Sequence, residues 1–414
     1  MFFCEYNGVT TWSVKIKINI KYLKMNADYL TFIFYASGGK NMPKDVIRIG
    51  IIVGKWVGGG VEAVVMNYYK NIDKNKIQFD FICDNDSINI PYEEIEKLGG
   101  RVILVPPYQK VISYHKELKR IFKENNYKIV HSNINALSVF PLFAAKCAGV
   151  PIRIAHSHST TNKAEWKKNL LKQALRPFSK VFANTYFACT EHAGRWLFGN
   201  KTFDEGKVLV VNNGIDVDSY SFNEKIRKEK RKELKIKDTD IVIGHIGRFM
   251  KQKNHEFLID IFNELYKENN NYKLMLIGQG PLQDEMKQKV KDLGIEDAVM
   301  FLGQKTDANK YYQAMDLFLF PSLYEGLGMV FVEAQSAALP SVASTEVPVI
   351  AQVSDRAYFI GLNQPIKVWT DKIKEVINQD RKVDIKKIKN AGYDIVTEAK
   401  KLEQKYISLF KKVK

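Results

Sequence analysis

Glu325 and Glu333 stand eight positions apart in the stretch PSLYEGLGMVFVEAQSAALPSVA (321–343), across a turn with glycines at 326 and 328. The apolar run Leu317-Phe318-Leu319-Phe320 before it suits a strand buried on both faces, and residues 329–338 suit a helix that Pro340 ends. A strand, a glycine turn and a helix start gather free backbone N–H groups at the positive end of the helix dipole, which makes a site for an anion such as phosphate. Gly326, Leu327, Gly328 and Met329 supply those groups. Glu333, one turn into the helix, can accept hydrogen bonds from neutral hydroxyls but repels phosphate, and Glu325 faces the same cleft. Acids bracketing an anion site point to a ligand with phosphate in the middle and hydroxyl-rich ends, the layout of a nucleotide sugar.

A second segment supplies positive charge. The apolar strand at 241–246 runs into GRFMKQKN (247–254), so that Gly247, Arg248 and Lys253 lie at its carboxyl end, where open parallel sheets bind their ligands. A guanidinium fork and a flexible ammonium can together clamp a diphosphate. Either base alone reads as part of a solvated loop in a lysine-rich chain; the acid-flanked turn downstream gives the pair a ligand.

The elements that must hold these loops alternate from Val46 onward. Strand patterns at 46–54, 79–83, 101–105, 128–132, 152–158, 186–189 and 207–211 have helical stretches between most of them, and a second series follows at 241–247, 273–278, 298–303, 317–322 and 340–344. That pattern predicts parallel sheets covered by helices. The chain of 414 residues, 45% of them hydrophobic, has room for two such domains. The first strand leads into Val57-Gly58-Gly59-Gly60-Val61-Glu62. This is not GxGxxG, and the acidic ribose partner expected about 20 residues on is not cleanly placed, so a dinucleotide site is not expected. The Gly58, Gly59 and Gly60 turn either lets backbone approach a ligand closely or simply packs helix on sheet. His156 and His158 are two apart and so share a strand face, or one lies just past the strand end. His131 ends the preceding strand. No third ligand accompanies the pair at metal spacing, so no metal is expected, and without a dinucleotide fingerprint no organic cofactor is expected either. Residues 223–238 read as a connection plus a solvated helix, and Ala399, Leu402, Tyr406, Leu409 and Phe410 fall at helical spacing near the end.

GRFMKQKN, LIGQGPLQDEM, FLGQ and the Glu325–Glu333 segment resemble, in that order, the C-terminal half of retaining GT-B glycosyltransferases of the E-x7-E type. The chain is most similar to the branch that builds bacterial capsule and exopolysaccharide. IAHSHST (154–160), FACTEHAGRWLFG (187–199) and NNGIDVDSYSF (212–222) extend the resemblance, which covers roughly 45–345. It implies two Rossmann-like domains facing across a cleft: an acceptor domain at 43–222 completed by the helix 395–414, and a nucleotide-sugar domain at 223–394. In that reading Arg248 and Lys253 neutralise the departing diphosphate of a nucleotide sugar. Glu333 holds the ribose, Glu325 orients the sugar, and one of His156 and His158 contacts it. The acceptor is a glycan or a polyprenyl-diphosphate-linked sugar, and the anomeric configuration is retained. A GT-B epimerase or phosphorylase could use the same phosphate site, and a non-enzymatic basic scaffold would need none of these residues.

The net charge of +17 admits nucleic acid, an anionic membrane or a surplus without function. No nucleic-acid-binding signature is present, so that partner is not expected. Residues 166–181 (WKKNLLKQALRPFSKV) form a basic amphipathic helix that either lies on an anionic membrane or packs its apolar face inward. No apolar run reaches the roughly 20 residues that span a bilayer. Cys4, Cys83, Cys147 and Cys189 are scattered, as reduced thiols of a cytoplasmic protein would be. Residues 1–42 lack period and caps and read as an extension, with Met42 or Met25 the expected start.

Overall fold

The computed structural model describes residues 46–158 and 166–413, of which 166–169 are described in backbone only. The readings of 1–42 as an extension and of Met42 or Met25 as the start lie outside these residues.

The strand-and-helix alternation builds two wholly parallel sheets. The first has seven strands: β1 (Ile47–Gly54), β2 (Ile77–Asp84), β3 (Arg101–Val105), β4 (Ile129–Ser132), β5 (Ile152–Ser157), β6 (Thr185–Ala188) and β7 (Val208–Val210). Their spatial order is β3-β2-β1-β4-β5-β6-β7. The second has β8 (Ile241–Ile246), β9 (Tyr272–Ile277), β10 (Val299–Phe301), β11 (Leu317–Phe320), β12 (Ser341–Ser344) and β13 (Ala357–Ile360), ordered β10-β9-β8-β11-β12-β13. In both, the chain winds one way from the first-formed strand and then returns to wind the other way. The crossovers therefore diverge between β1 and β4 and between β8 and β11, which opens a crevice at the carboxyl ends of each sheet.

Burial on both faces follows from the sequence period of two. In the second sheet Val242, Met275, Phe318 and Phe320 enter one core cluster, while their neighbours Ile243, Leu274, Leu317 and Leu319 enter the other. Each such side chain contributes about 1.5–3 kcal/mol through burial. In the first sheet Ile49, Ile51, Phe79, Phe81, Ile154 and Phe187 share a cluster with Ile395, Ala399, Leu402 and Tyr406. The last four belong to the helix Ile395–Lys411, so the chain's last helix packs into the first sheet's core.

Two connections join the halves and run side by side. Ile215 N–H donates to Tyr393 O at 2.8 Å, and Ile395 N–H donates to Ile215 O at 2.9 Å. A Cβ on Gly214 would stand 2.8 Å from the Ile395 Cα, so only glycine allows this approach of two backbones.

Two details differ from the sequence expectation. Strand β13 was not anticipated, because a four-residue edge strand carries too little periodicity to register. The helix Glu224–Glu233 is not merely solvated. Arg231 is buried and its guanidinium donates to Ala314 O at 3.1 Å and to Lys237 O and Asp240 O, both at 2.7 Å. Arg227 joins it on Asp316. A run of charges does not reveal which of its arginines will find buried carbonyls.

Candidate functional site

The loops after β8 and β11 flank the divergence point of the second sheet and are stitched together. Leu323 N–H donates to Gln252 O at 2.8 Å, Gln252 Nε2 donates to Tyr324 O at 3.0 Å, and Asn254 Nδ2 donates to Pro321 O at 3.1 Å. Lys253 closes the single 3-10 turn Lys251–Lys253, and Asn254, left-handed at φ 55°, starts the helix His255–Glu268. The fixed turn aims Lys253 across the gap: its Nζ lies 2.7 Å from Glu325 Oε1 and 4.8 Å from the Phe320 ring centroid. The pair is desolvated, with side chains 17% and 6% exposed. Gln252 Nε2 reaches the other Glu325 oxygen at 3.3 Å. Arg248, by contrast, is exposed, and its guanidinium has no partner among the described residues. Among the described residues the structure thus joins Lys253 to Glu325 and gives Arg248 no hydrogen bond or ion pair with either.

Beyond Glu325 the chain turns at Gly328, whose φ of 79° and ψ of 53° precede the helix Met329–Ser336. A Cβ on Gly328 would approach Phe320 to 3.1 Å, so glycine serves both the left-handed backbone and the fit against β11. Glu333 is half-buried one turn along, and Tyr312 Oη donates to its Oε2 at 2.9 Å. Burial raises the Glu333 carboxyl to about 7, opposed by hydrogen bonds from Tyr312 and Tyr220 and by the charge of Lys253. Lys253 therefore acts electrostatically on both acids. Gly247 sits behind Lys253, where a Cβ would press on Lys253 Cγ and Cδ at 3.3 Å and on His245 Nε2 at 2.9 Å.

In the first sheet, the loop after β1 wraps an acid. Val57 N–H donates to Glu62 Oε1 at 3.0 Å, and the helix Gly60–Asn71 starts behind Gly58 and Gly59. Gly58 has φ 75°, and a Cβ on it would lie 3.8 Å from Gln304 Nε2, beyond the end of β10. The carboxyl ends of the two sheets thus meet across a cleft at this loop. Gly60 has nothing within 4 Å of the position a Cβ would take.

The histidines form one cluster. His131 Nε2 lies 3.0 Å from His156 Nδ1, and His131 Nδ1 lies 2.6 Å from Tyr406 Oη. The His158 ring stacks on His156, with centroids 3.9 Å apart, and its Nε2 meets Asn133 Oδ1 at 2.9 Å. His156 and His131 are buried, whereas His158 lies just past β5 and is only partly covered. Of the two strand-end histidines, His158 is the less buried. Burial pushes His131 and His158 down to about 3, and burial with the neighbouring rings holds His156 well below the usual imidazole range. All three are neutral in the folded protein at pH 7, while unfolded histidine titrates near 6.5. Below that value the unfolded chain binds the additional protons. Stability is therefore full above about pH 6.5 and falls as the pH drops toward 3, by up to about 1.4 kcal/mol per pH unit for each ring. Urea unfolding at pH 7, 6 and 5 should show this decline; a flat profile would mean the rings are solvated.

The helix Trp166–Leu175 and the turns after it place Leu170 (67% exposed), Phe178 (53%) and Val181 (52%) at the surface. The inward-packing alternative for residues 166–181 does not hold for these side chains. Cys83 and Cys189 are buried free thiols and Cys147 is an exposed one. No helix among the described residues is long and apolar enough to cross a membrane. Sequence reasoning missed Gln252, Asn254, Tyr312, Asn133 and Tyr406. The two loop amides lie inside GRFMKQKN, but nothing in their type singles them out. The tyrosines looked like ordinary core residues.

Comparison with known proteins bears on the family and the fold. Residues 226–393 match the family described as glycosyl transferases group 1, and residues 58–219 match the model described as Glycosyltransferase Family 4. EpsF of Bacillus subtilis (strain 168), named as a glycosyltransferase, is 34% identical over 321 residues, covering 76% of this chain and 84% of the relative. An Escherichia coli protein named UDP-Gal:alpha-D-GlcNAc-diphosphoundecaprenol alpha-1,3-galactosyltransferase is 23% identical over 374 residues, 84% of this chain and 94% of that one. Among solved structures, Anabaena Alr3699/HepE in complex with UDP and glucose superposes with a TM-score of 0.71 at 19% identity, over 87% of this chain and all of that one. Two parallel Rossmann-like sheets with their carboxyl ends opposed are the GT-B architecture, and with a relative this similar along most of its length the chain belongs to the group 1 glycosyltransferases.

Proposed function

We propose that this glycosyltransferase moves a sugar from a UDP-sugar to a glycan or polyprenyl-diphosphate-linked acceptor, with retention of configuration, in the synthesis of a capsular or exported polysaccharide. The observation that carries the reading is the meeting of Lys253, Glu325 and the helix start at Met329 at the divergence point of the second sheet. The diphosphate would lie against the N–H groups of Gly326, Leu327, Gly328 and Met329, with Arg248 and Lys253 neutralising the charge that develops as the sugar leaves. Glu333 would take the ribose hydroxyls, Glu325 would set the sugar, and His158 would meet the sugar from the first sheet. The turn at Gly58, Gly59 and Gly60 would approach the acceptor or the donor phosphate. No metal or organic cofactor is assigned a part. The UDP complex of the superposable HepE and the undecaprenol-linked acceptor in the E. coli relative's name support the choice of donor and acceptor. Incubation with a panel of UDP-sugars, with and without a polyprenyl-diphosphate acceptor, should show acceptor-dependent release of UDP by mass spectrometry. Release of UDP together with an epimerised free sugar, or no turnover of any donor, would defeat the proposal.

The same reading places the enzyme on the cytoplasmic face of a membrane. Leu170, Phe178 and Val181 are exposed beside Arg176 and Lys180. The helix Val111–Glu124 exposes Val111 and Ile112 beside Lys110 and Lys116. Ring contacts from His115 to Phe143 (4.7 Å) and from Phe143 to Phe182 (4.9 Å) join the two groups into one face. Apolar side chains set among cations fit an anionic bilayer. In sedimentation assays, vesicles containing anionic lipid should carry the protein down and neutral ones should not; equal binding to both would remove the idea.

A further inference from the structure

Tyr406 sits on the last helix, yet its hydroxyl reaches into the histidine cluster. It is fully buried, and its one hydrogen-bond partner among the described residues is His131 Nδ1, at 2.6 Å. A phenol has one proton, and here one acceptor to give it to, so Nδ1 accepts. The proton of the neutral His131 ring is then on Nε2 and is donated to His156 Nδ1 at 3.0 Å. His156 in turn must carry its own proton on Nε2, an atom that is buried and has no partner among the described residues.

The neighbouring ring is set from the other side. Asn133 Nδ2 donates to Ile52 O at 3.3 Å, which turns Oδ1 toward His158. His158 Nε2–H donates to that oxygen at 2.9 Å, leaving His158 Nδ1 as a buried acceptor without a donor. Assigned from the network in this way, one unused donor and one unused acceptor lie on rings 3.9 Å apart. Both rings line a cavity of about 20 Å³, together with Asn133, Tyr68 and Tyr406. One unused donor and one unused acceptor on adjacent rings match the two hydrogen-bonding roles of a single hydroxyl or water molecule. The match depends on the His156 proton being on Nε2; on Nδ1 it would face the Nε2–H of His131.

We propose that Tyr406 and His131 are positioning residues for transfer: the tyrosine on the helix Ile395–Lys411 fixes the tautomer of His131, through it that of His156, and so the polarity of the small cavity that His156 and His158 line together. The proposal rests on the placement of His158 at the transferred sugar, and its test separates the two. In the full-length protein, long-range proton–nitrogen NMR of labelled histidine should show His131 and His156 as single Nε2–H tautomers. Tyr406→Phe keeps the ring packing but removes the donor, and both signals should become mixtures of tautomers. With UDP-glucose or UDP-galactose, whichever is turned over, kcat should fall about tenfold while donor KM changes less than about twofold. Phe410→Ala loosens the same helix outside the relay and should leave the tautomers as they were. Unchanged tautomers in Tyr406→Phe, or the same shift in Phe410→Ala, would overturn the relay. A tautomer shift with kcat unaltered would overturn its part in transfer alone; the placement of His158 at the sugar falls only if His158→Ala also leaves kcat and donor KM unaltered.

Discussion

Arg248→Ala is expected to lower turnover by about 10²–10³-fold with no change in melting temperature. The side chain is exposed and bonded to nothing among the described residues, so removing it opens no cavity and strands no buried charge. Its worth lies in the transition state, where a departing diphosphate gains negative charge and a nearby guanidinium stabilises it. Loss of one such donor costs on that order in kcat. Arg248→Lys should recover only part of the rate, because an ammonium cannot make the two parallel hydrogen bonds of a guanidinium. Steady-state kinetics beside thermal unfolding decides the matter. Near-normal transfer by a folded Arg248→Ala enzyme would dissociate this residue from the leaving group.

Lys253→Ala should fail in a different manner, losing both activity and stability. The ammonium and the Glu325 carboxylate are largely shielded from water at 2.7 Å, so truncating the lysine strands a desolvated anion. That costs about 2–4 kcal/mol for a pair of this burial. A second substitution, Glu325→Gln, removes the stranded charge and should return most of the lost stability without restoring turnover. Urea denaturation of the two single variants and the double variant forms a thermodynamic cycle, and the coupling between the sites should exceed about 1 kcal/mol. Additive effects would show the contact to be incidental.

These contrasts also show what a sequence can and cannot reveal. The parallel architecture was legible because buried strands are short apolar runs separated by helices, and Leu317–Phe320 could hardly be anything else. The loops after β8 and β11 were legible because charge and glycine clustered at strand ends. Which partners each side chain would choose was not. Arg248 and Lys253 are both cations on one loop, but only the 3-10 turn and left-handed Asn254 aim Lys253 at Glu325. His156 and His158 looked equivalent until the end of β5 fell between them. Tyr406, 275 residues from His131, was invisible as a partner because only tertiary packing brings the final helix beneath β4.

That packing has a consequence for how the molecule is made. A ribosome delivers β1 to β7 first, yet the core beneath them lacks Ile395, Ala399, Leu402 and Tyr406 until roughly two hundred further residues have been added. At ordinary elongation rates the wait lasts on the order of ten seconds or more, with Phe79, Phe81 and Phe187 short of their covering helix. The early half of the nascent protein therefore has an unfinished apolar flank that only the helix Ile395–Lys411 can seal, and truncation ahead of residue 395 should harm the product more than the few residues lost from the fold would suggest.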